Sequence, residues 1–181
     1  MDYTEEKLRR INQYKGIVVD VSVDAVRLPD GKSSYREVVK HPGGVCVLPV
    51  DENGCALCVR QYRYPMGEHL LEAPAGKLEP GEDPLPAAVR ELSEETGCTA
   101  GRLIPLGTYY TSPGYSTERL YLYLALELQR GEAHLDEEEF LDVVRMPLEE
   151  LYGMVIRGEI PDGKTAIAVL QARQILAGEK N

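Results

Sequence analysis

Residues Gly76 to Cys98, GKLEPGEDPLPAAVRELSEETGC, decide how the rest of the chain is read. The first half is turn-forming, with glycines at 76 and 81 and Pro80 between them. The second half predicts a helix. Asp83 suits the N-cap position and Pro84 the first helical position. Pro86 still falls in the first turn, where a missing N–H does no harm, and Gly97 marks the stop. Leu85, Ala88, Val89 and Leu92 recur at i, i+3, i+4 and i+7, the spacing of a buried stripe. Glu91 and Glu95 lie one turn apart on the same side, with Glu94 beside them. Like charges at that spacing repel and weaken a bare helix, but an all-oxygen cluster suits a hard cation such as Mg2+. The competing reading is a solvated acidic face. Arg90 is spaced to pair with Glu94 at i+4, which leaves Glu91 and Glu95 for a metal.

The composition narrows the classes. At 181 residues the chain suits one domain with a small appendage. A net charge of −10 argues against nucleic acid or a membrane surface as partner, since both attract basic patches. It leaves a nucleotide substrate open, because metal ions neutralise phosphates locally. No apolar run approaches the roughly 20 residues needed to span a bilayer. The polar start, MDYTEEKLRR, is not a secretory leader, so a cytoplasmic protein is expected. Four cysteines give one C-x2-C (Cys55, Cys58) without further ligands for a zinc site, and they read as buried, reduced thiols.

Along the chain, residues 4–13 predict a short polar helix or a loose arm. Val19, Val21, Val23 and Ala25 then alternate with Asp20, Ser22 and Asp24, a half-buried strand. The turn Pro29-Asp30-Gly31-Lys32 leads into a second strand, Ser33 to Lys40, and closes a hairpin. A lone hairpin must lay its apolar face on its own domain or on another copy of the chain. Further strands are expected at 45–50, 55–64, 103–111, 118–128 and 140–145, with helices from Pro147 to near Gly158 and from Lys164 to Ala177. Mixed strands and helices in this order predict an α/β sandwich around a mixed sheet.

The opening stretch fits the pattern G-x5-E-x7-R-E-U-x-E-E-x-G-U, where U is aliphatic. Gly76, Glu82, Arg90, Glu91, Leu92, Glu94, Glu95 and Gly97 are all in register, and only Cys98 departs, at the last position. This is the Nudix box, and the chain resembles a Nudix hydrolase. The resemblance implies an α/β/α sandwich that hydrolyses a nucleoside diphosphate linked to another moiety. It implies Mg2+, or Mn2+ in its place, as two or more ions. The ligands would be Glu91, Glu94 and Glu95 with the carbonyl of Ala75, Glu94 doubling as a catalytic group. Gly76, Glu82 and Arg90 would shape and orient the loop and helix around them.

Outside the box the chain is similar to the ADP-ribose pyrophosphatase branch. The pieces are Arg36 to Gly43 (REVVKHPG), Arg60 to Arg63 (RQYR), Leu71 to Gly76 (LEAPAG), Ser112-Pro113-Gly114, with Pro113 16 residues after Gly97, and Asp136 to Phe140 (DEEEF). The resemblance puts Arg63 on the substrate phosphates, and Glu72 on a ribose hydroxyl or in support of the metal site. Gly114 falls at the substrate. Arg36 and Glu37 reach it from the hairpin, which this branch exchanges between two subunits, so residues 1–42 form a dimerisation region and 43–181 the hydrolase domain. Glu139 matches the general base, with Glu138 and Glu137 as alternatives in the same acidic run. Surface charge on a strand end, a hairpin face or an acidic loop remains the plainer reading of each. The branch stacks adenine on N-terminal aromatics; there is no Trp here, and Tyr14 and Tyr35 are the available replacements.

The expected reaction is hydrolysis of ADP-ribose to AMP and ribose 5-phosphate by a homodimer. Other nucleoside diphosphate sugars, such as GDP-mannose, are the alternative. A nucleoside triphosphate or dinucleoside polyphosphate hydrolase lacks the flanking motifs. A non-catalytic ADP-ribose sensor has no need of an intact set of box glutamates.

Overall fold

A computed structural model of the chain describes residues 1–135 and 140–178. The chain divides into two units, Met1–Gly43 with Tyr110–Arg119, and Gly44–Tyr109 with the described residues from Leu120 on.

The first unit is built on an antiparallel sheet of β1 (Glu6–Lys15), β2 (Asp20–Arg27) and β3 (Ser33–Lys40), in that order. β2 and β3 pair from Asp20↔Lys40 to Arg27↔Ser33. Their turn is closed by the Leu28 N–H on the Lys32 carbonyl, and Gly31 takes the left-handed conformation such a turn requires. The helix or arm expected over residues 4–13 is instead strand β1, paired along β2. The segment is polar and lacks the period-2 alternation that marks a strand. What holds the segment extended is the β2 ladder, together with Lys7 and Arg10, which reach the buried Asp24 at 2.6 and 3.3 Å. All ten residues of β1 are exposed, Leu8, Ile11 and Tyr14 included. The remaining piece, Tyr110–Arg119, docks on β3 through the Val39 N–H to the Tyr115 carbonyl and the Thr117 N–H to the Val39 carbonyl.

The second unit holds β4 (Gly44–Pro49), β5 (Cys55–Arg63), β6 (Glu68–Glu72), β7 (Ala75–Lys77), α1 (Pro84–Thr96), β8 (Cys98–Tyr110), β9 (Arg119–Arg130), β10 (Leu141–Pro147), α2 (Leu148–Ile156) and α3 (Gly163–Gly178), except that Tyr110 of β8 and Arg119 of β9 count with the first unit. One sheet has the order β7-β4-β9-β8, with β4 parallel to β9 and antiparallel to β7, so it is mixed. A second has the order β10-β5-β6.

Every residue of β4 is buried, and its alternation shows why. Val45 and Val47 pack with Ala87, Ala88 and Leu92 of α1. Cys46 and Leu48 pack with Leu148 and Leu151 of α2 and with Ala168, Val169 and Ala172 of α3. β9 repeats the pattern, with Tyr123 and Ala125 on the first side and Leu122, Leu124 and Leu126 on the second. A strand covered by helices on both faces reads as a continuous apolar run. The result is the expected α/β/α sandwich, in which each fully buried leucine contributes roughly 1.5–3 kcal/mol. No helix among the described residues is long and apolar enough to cross a membrane.

Candidate active site

The box helix α1 runs from Pro84 to a left-handed Gly97, whose N–H closes on the Ser93 carbonyl. Asp83 sits at the N-cap in an extended conformation, but its side chain makes no capping bond. The buried stripe is rotated from the one expected. Leu85 and Val89 are 49% and 45% exposed, while Ala87, Ala88, Glu91, Leu92 and Glu95 face inward. The two glutamates one turn apart thus occupy the buried side of the helix. This explains why the apolar periodicity misleads: part of the inward face belongs to carboxylates.

Those carboxylates meet β7. The Glu95 carboxylate accepts the Ala75 N–H at 3.1 Å. Gly76 lies against Glu91 so closely that a Cβ there would fall 1.9 Å from Oε1 and 2.0 Å from Cδ. A glycine at this point is a requirement of space. Arg90 ties the loop to the helix. Its guanidinium forms a fork onto both oxygens of Glu82, each at 3.0 Å, and donates to the Lys77 carbonyl. Glu82 in turn accepts the Glu79 N–H at 2.9 Å, closing its own turn. The Arg90 fork holds the Glu82 carboxyl below the usual carboxylate range. Arg90 also donates to Glu94 and to Glu91, both at 2.8 Å. The expected division, Arg90 on Glu94 alone, is therefore corrected: one side chain bridges three carboxylates. No three acidic, His or Cys side chains among the described residues are gathered as a ready ion cage.

A second charged group stands beside the box. Glu72, at the end of β6, is 1% exposed. Arg63 of β5 grips it with two parallel bonds, Nε to Oε1 at 2.7 Å and Nη2 to Oε2 at 2.9 Å. Lys164, at the start of α3, also donates to Glu72 and pairs with Asp162 at 3.0 Å. Burial alone would push the Glu72 carboxyl up, but Arg63 and Lys164 outweigh it and hold the group at about 2. Lys164 is raised despite its own burial, by Asp162 and Glu72. Arg63 feels Glu95 as well as Glu72, so this group and the box share one electrostatic neighbourhood. No buried side-chain oxygen or nitrogen among the described residues lacks a partner.

The remaining candidates sit elsewhere. Arg36 on β3 is paired with Glu5 and donates to the Tyr35 carbonyl. Glu37, on the same strand, is exposed. Gly114 lies in the turn where the Ser112 carbonyl accepts the Tyr115 and Ser116 N–H groups, and a Cβ on it would meet nothing. All three belong to the first unit. Glu139, with Glu137 and Glu138, lies outside the described residues. The cysteines are free; burial pushes the Cys46 thiol well above its usual range and that of Cys58 up to about 12, which makes both poor nucleophiles. Lys164 and Asp162 escaped the sequence reading. Their signal was the turn Pro161-Asp162-Gly163 before an apolar helix, which reads as a cap and a solvated lysine.

Comparison with known proteins adds four findings. A NUDIX domain matches residues 40–168. The chain is 43% identical over 180 residues to the ADP-ribose pyrophosphatase of Bacillus subtilis (strain 168), covering 97% of both chains. It is also 43% identical over 177 residues to the methanol dehydrogenase activator of Bacillus methanolicus, covering 95% of this chain and 96% of that one. Among solved structures, an ADP compounds hydrolase superimposes with a TM-score of 0.82 over 98% of each chain, at 22% identity, a likeness of fold.

Proposed function

The chain belongs to the Nudix family, and on that premise we propose that it hydrolyses the pyrophosphate bond of ADP-ribose, releasing AMP and ribose 5-phosphate. One observation carries the substrate: the 43% identity to an ADP-ribose pyrophosphatase runs over 97% of both chains, so it is not confined to the box.

Nudix hydrolases use divalent metal ions, and the donor chemistry of the box suits one, although its carboxylates are not gathered as a cage. Glu91, Glu94, Glu95 and the Ala75 carbonyl would hold it, an all-oxygen set suited to a hard cation, with Gly76 keeping the space beside Glu91 clear. We take the ion to be Mg2+, or Mn2+ in its place, in two or more copies. When bound, it supplies charge neutralisation on the phosphoryl oxygens.

The chain's own residues do the rest. Arg63 presents a planar fork to phosphate oxygens. Glu72 accepts a hydrogen bond from a ribose hydroxyl. Glu82 and Arg90 hold the loop and helix in register, and Arg36, Glu37 and Gly114 are assigned to substrate binding. Glu139 takes the proton of the attacking water, with Glu94 as the second catalytic group. Residues 1–42 serve dimerisation: an exposed strand carrying Leu8, Ile11 and Tyr14 is a surface that a second copy can cover. A monomer by light scattering would remove that assignment.

A screen with Mg2+ over ADP-ribose, GDP-mannose, NADH, diadenosine polyphosphates and nucleoside triphosphates, read by chromatography of the products, tests the substrate. ADP-ribose should give the highest kcat/KM; a triphosphate or GDP-mannose ranking above it would replace this reading. In the same assay Glu139→Gln should lower kcat about a hundredfold while leaving ADP-ribose binding intact. A near-wild-type kcat moves the base to another residue.

A further inference from the structure

We infer that Lys164 is a positioning residue for substrate binding: it is the standing counter-ion of Glu72, and its presence is what frees Arg63 to leave Glu72 for the substrate's phosphates. The inference rests on the assignment of Arg63 to those phosphates.

The geometry sets up an exchange. As it stands, the Nε–Nη2 edge of Arg63 is engaged by Glu72, and those two donors cannot grip a phosphate while they hold the carboxylate. To turn that edge to the substrate it must let go. If Arg63 were the sole cation on Glu72, its departure would strand a buried carboxylate, which is strongly unfavourable. Two cations meet Glu72, however, and they differ in freedom. The Arg63 side chain is 39% exposed, whereas that of Lys164 is 11% exposed.

Lys164 is also pinned. The next residue, Thr165, is fully buried and accepts the Ala73 N–H at 2.7 Å, so the start of α3 is fixed to the residue that follows Glu72. Asp162 holds both neighbours: its carboxylate accepts the Thr165 N–H at 3.0 Å and pairs with the Lys164 ammonium at 3.0 Å. The buried ammonium therefore stays while the exposed guanidinium moves. A compact point charge suits the first task and a planar fork the second.

The test measures KM and kcat for Lys164→Met and Lys164→Arg. Lys164→Met should raise KM roughly ten- to a hundredfold, because Arg63 is then retained by a carboxylate with no other cation. Its kcat should stay within about threefold, since the reacting atoms are untouched. Lys164→Arg restores the charge and should recover most of the affinity. A lysine that merely packs α3 would lower the melting temperature without this split of KM from kcat and without rescue by arginine.

The assay uses whichever nucleoside diphosphate sugar the wild type turns over best. Loss of the ADP-ribose reading is then seen in the wild type and is separate from the outcome for Lys164. Lys164→Gln, neutral but still able to hydrogen-bond, serves if the methionine variant does not fold. A wild-type KM in either neutral variant overturns the inference.

Discussion

Glu91→Gln is expected to lower kcat/KM for ADP-ribose by about three orders of magnitude, a loss of roughly 4 kcal/mol of transition-state stabilisation. Glutamine keeps the shape and the acceptor oxygen and removes only the charge. In the resting protein that charge is answered by Arg90, which also holds Glu82 and Glu94 and so remains engaged when Glu91 is neutral. The cost to the fold is therefore small, about 1 kcal/mol or less. The cost to activity is large because a neutral amide is a poor ligand for a hard cation. The concentration of Mg2+ needed for half-maximal rate should rise in parallel. A variant within fivefold of the wild type would remove Glu91 from the metal site.

How much of this was legible beforehand depends on the range over which each feature is determined. The limits of α1 were readable because Pro84 and Gly97 act within a single turn. The hairpin of β2 and β3 was readable because period-2 alternation and a Pro-Asp-Gly turn are both local. β1 was not, since the segment is polar without period-2 alternation and only the pairing with β2 holds it extended. The buried stripe of α1 was misplaced for a functional reason: Glu91 and Glu95 occupy inward positions that periodicity assigns to apolar residues. The Glu72 group was least accessible. The β5–β6 register sets Val59 opposite Glu72 and Arg63 opposite Glu68, so Arg63 meets Glu72 by the reach of its side chain and not by cross-strand pairing. Lys164 joins them from 92 positions away. Read alone, each is an ordinary surface charge.

Gly76→Ala should reproduce much of the Glu91 defect without touching a carboxylate. The backbone at Gly76 does not need a left-handed conformation, and the residue pairs with Val45 in a short edge strand, where alanine is tolerated. What alanine lacks is room. The new methyl would lie 1.9 Å from Glu91 Oε1 and 2.3 Å from Oε2, far inside contact distance. Those atoms end a flexible side chain, so the clash is relieved by swinging the carboxylate aside rather than by breaking the sheet. The melting temperature should fall by only a few degrees, in keeping with a loss of about 1 kcal/mol. Activity should not be spared. The displaced carboxylate no longer faces β7 beside Ala75, and its movement pulls on the Arg90 bond that also orders Glu82 and Glu94. A fall in kcat/KM of about two to three orders of magnitude is expected. Since both variants act through one carboxylate, the double variant Gly76→Ala/Glu91→Gln should be scarcely worse than Glu91→Gln alone. Full additivity would mean that the glycine serves something other than the space beside Glu91.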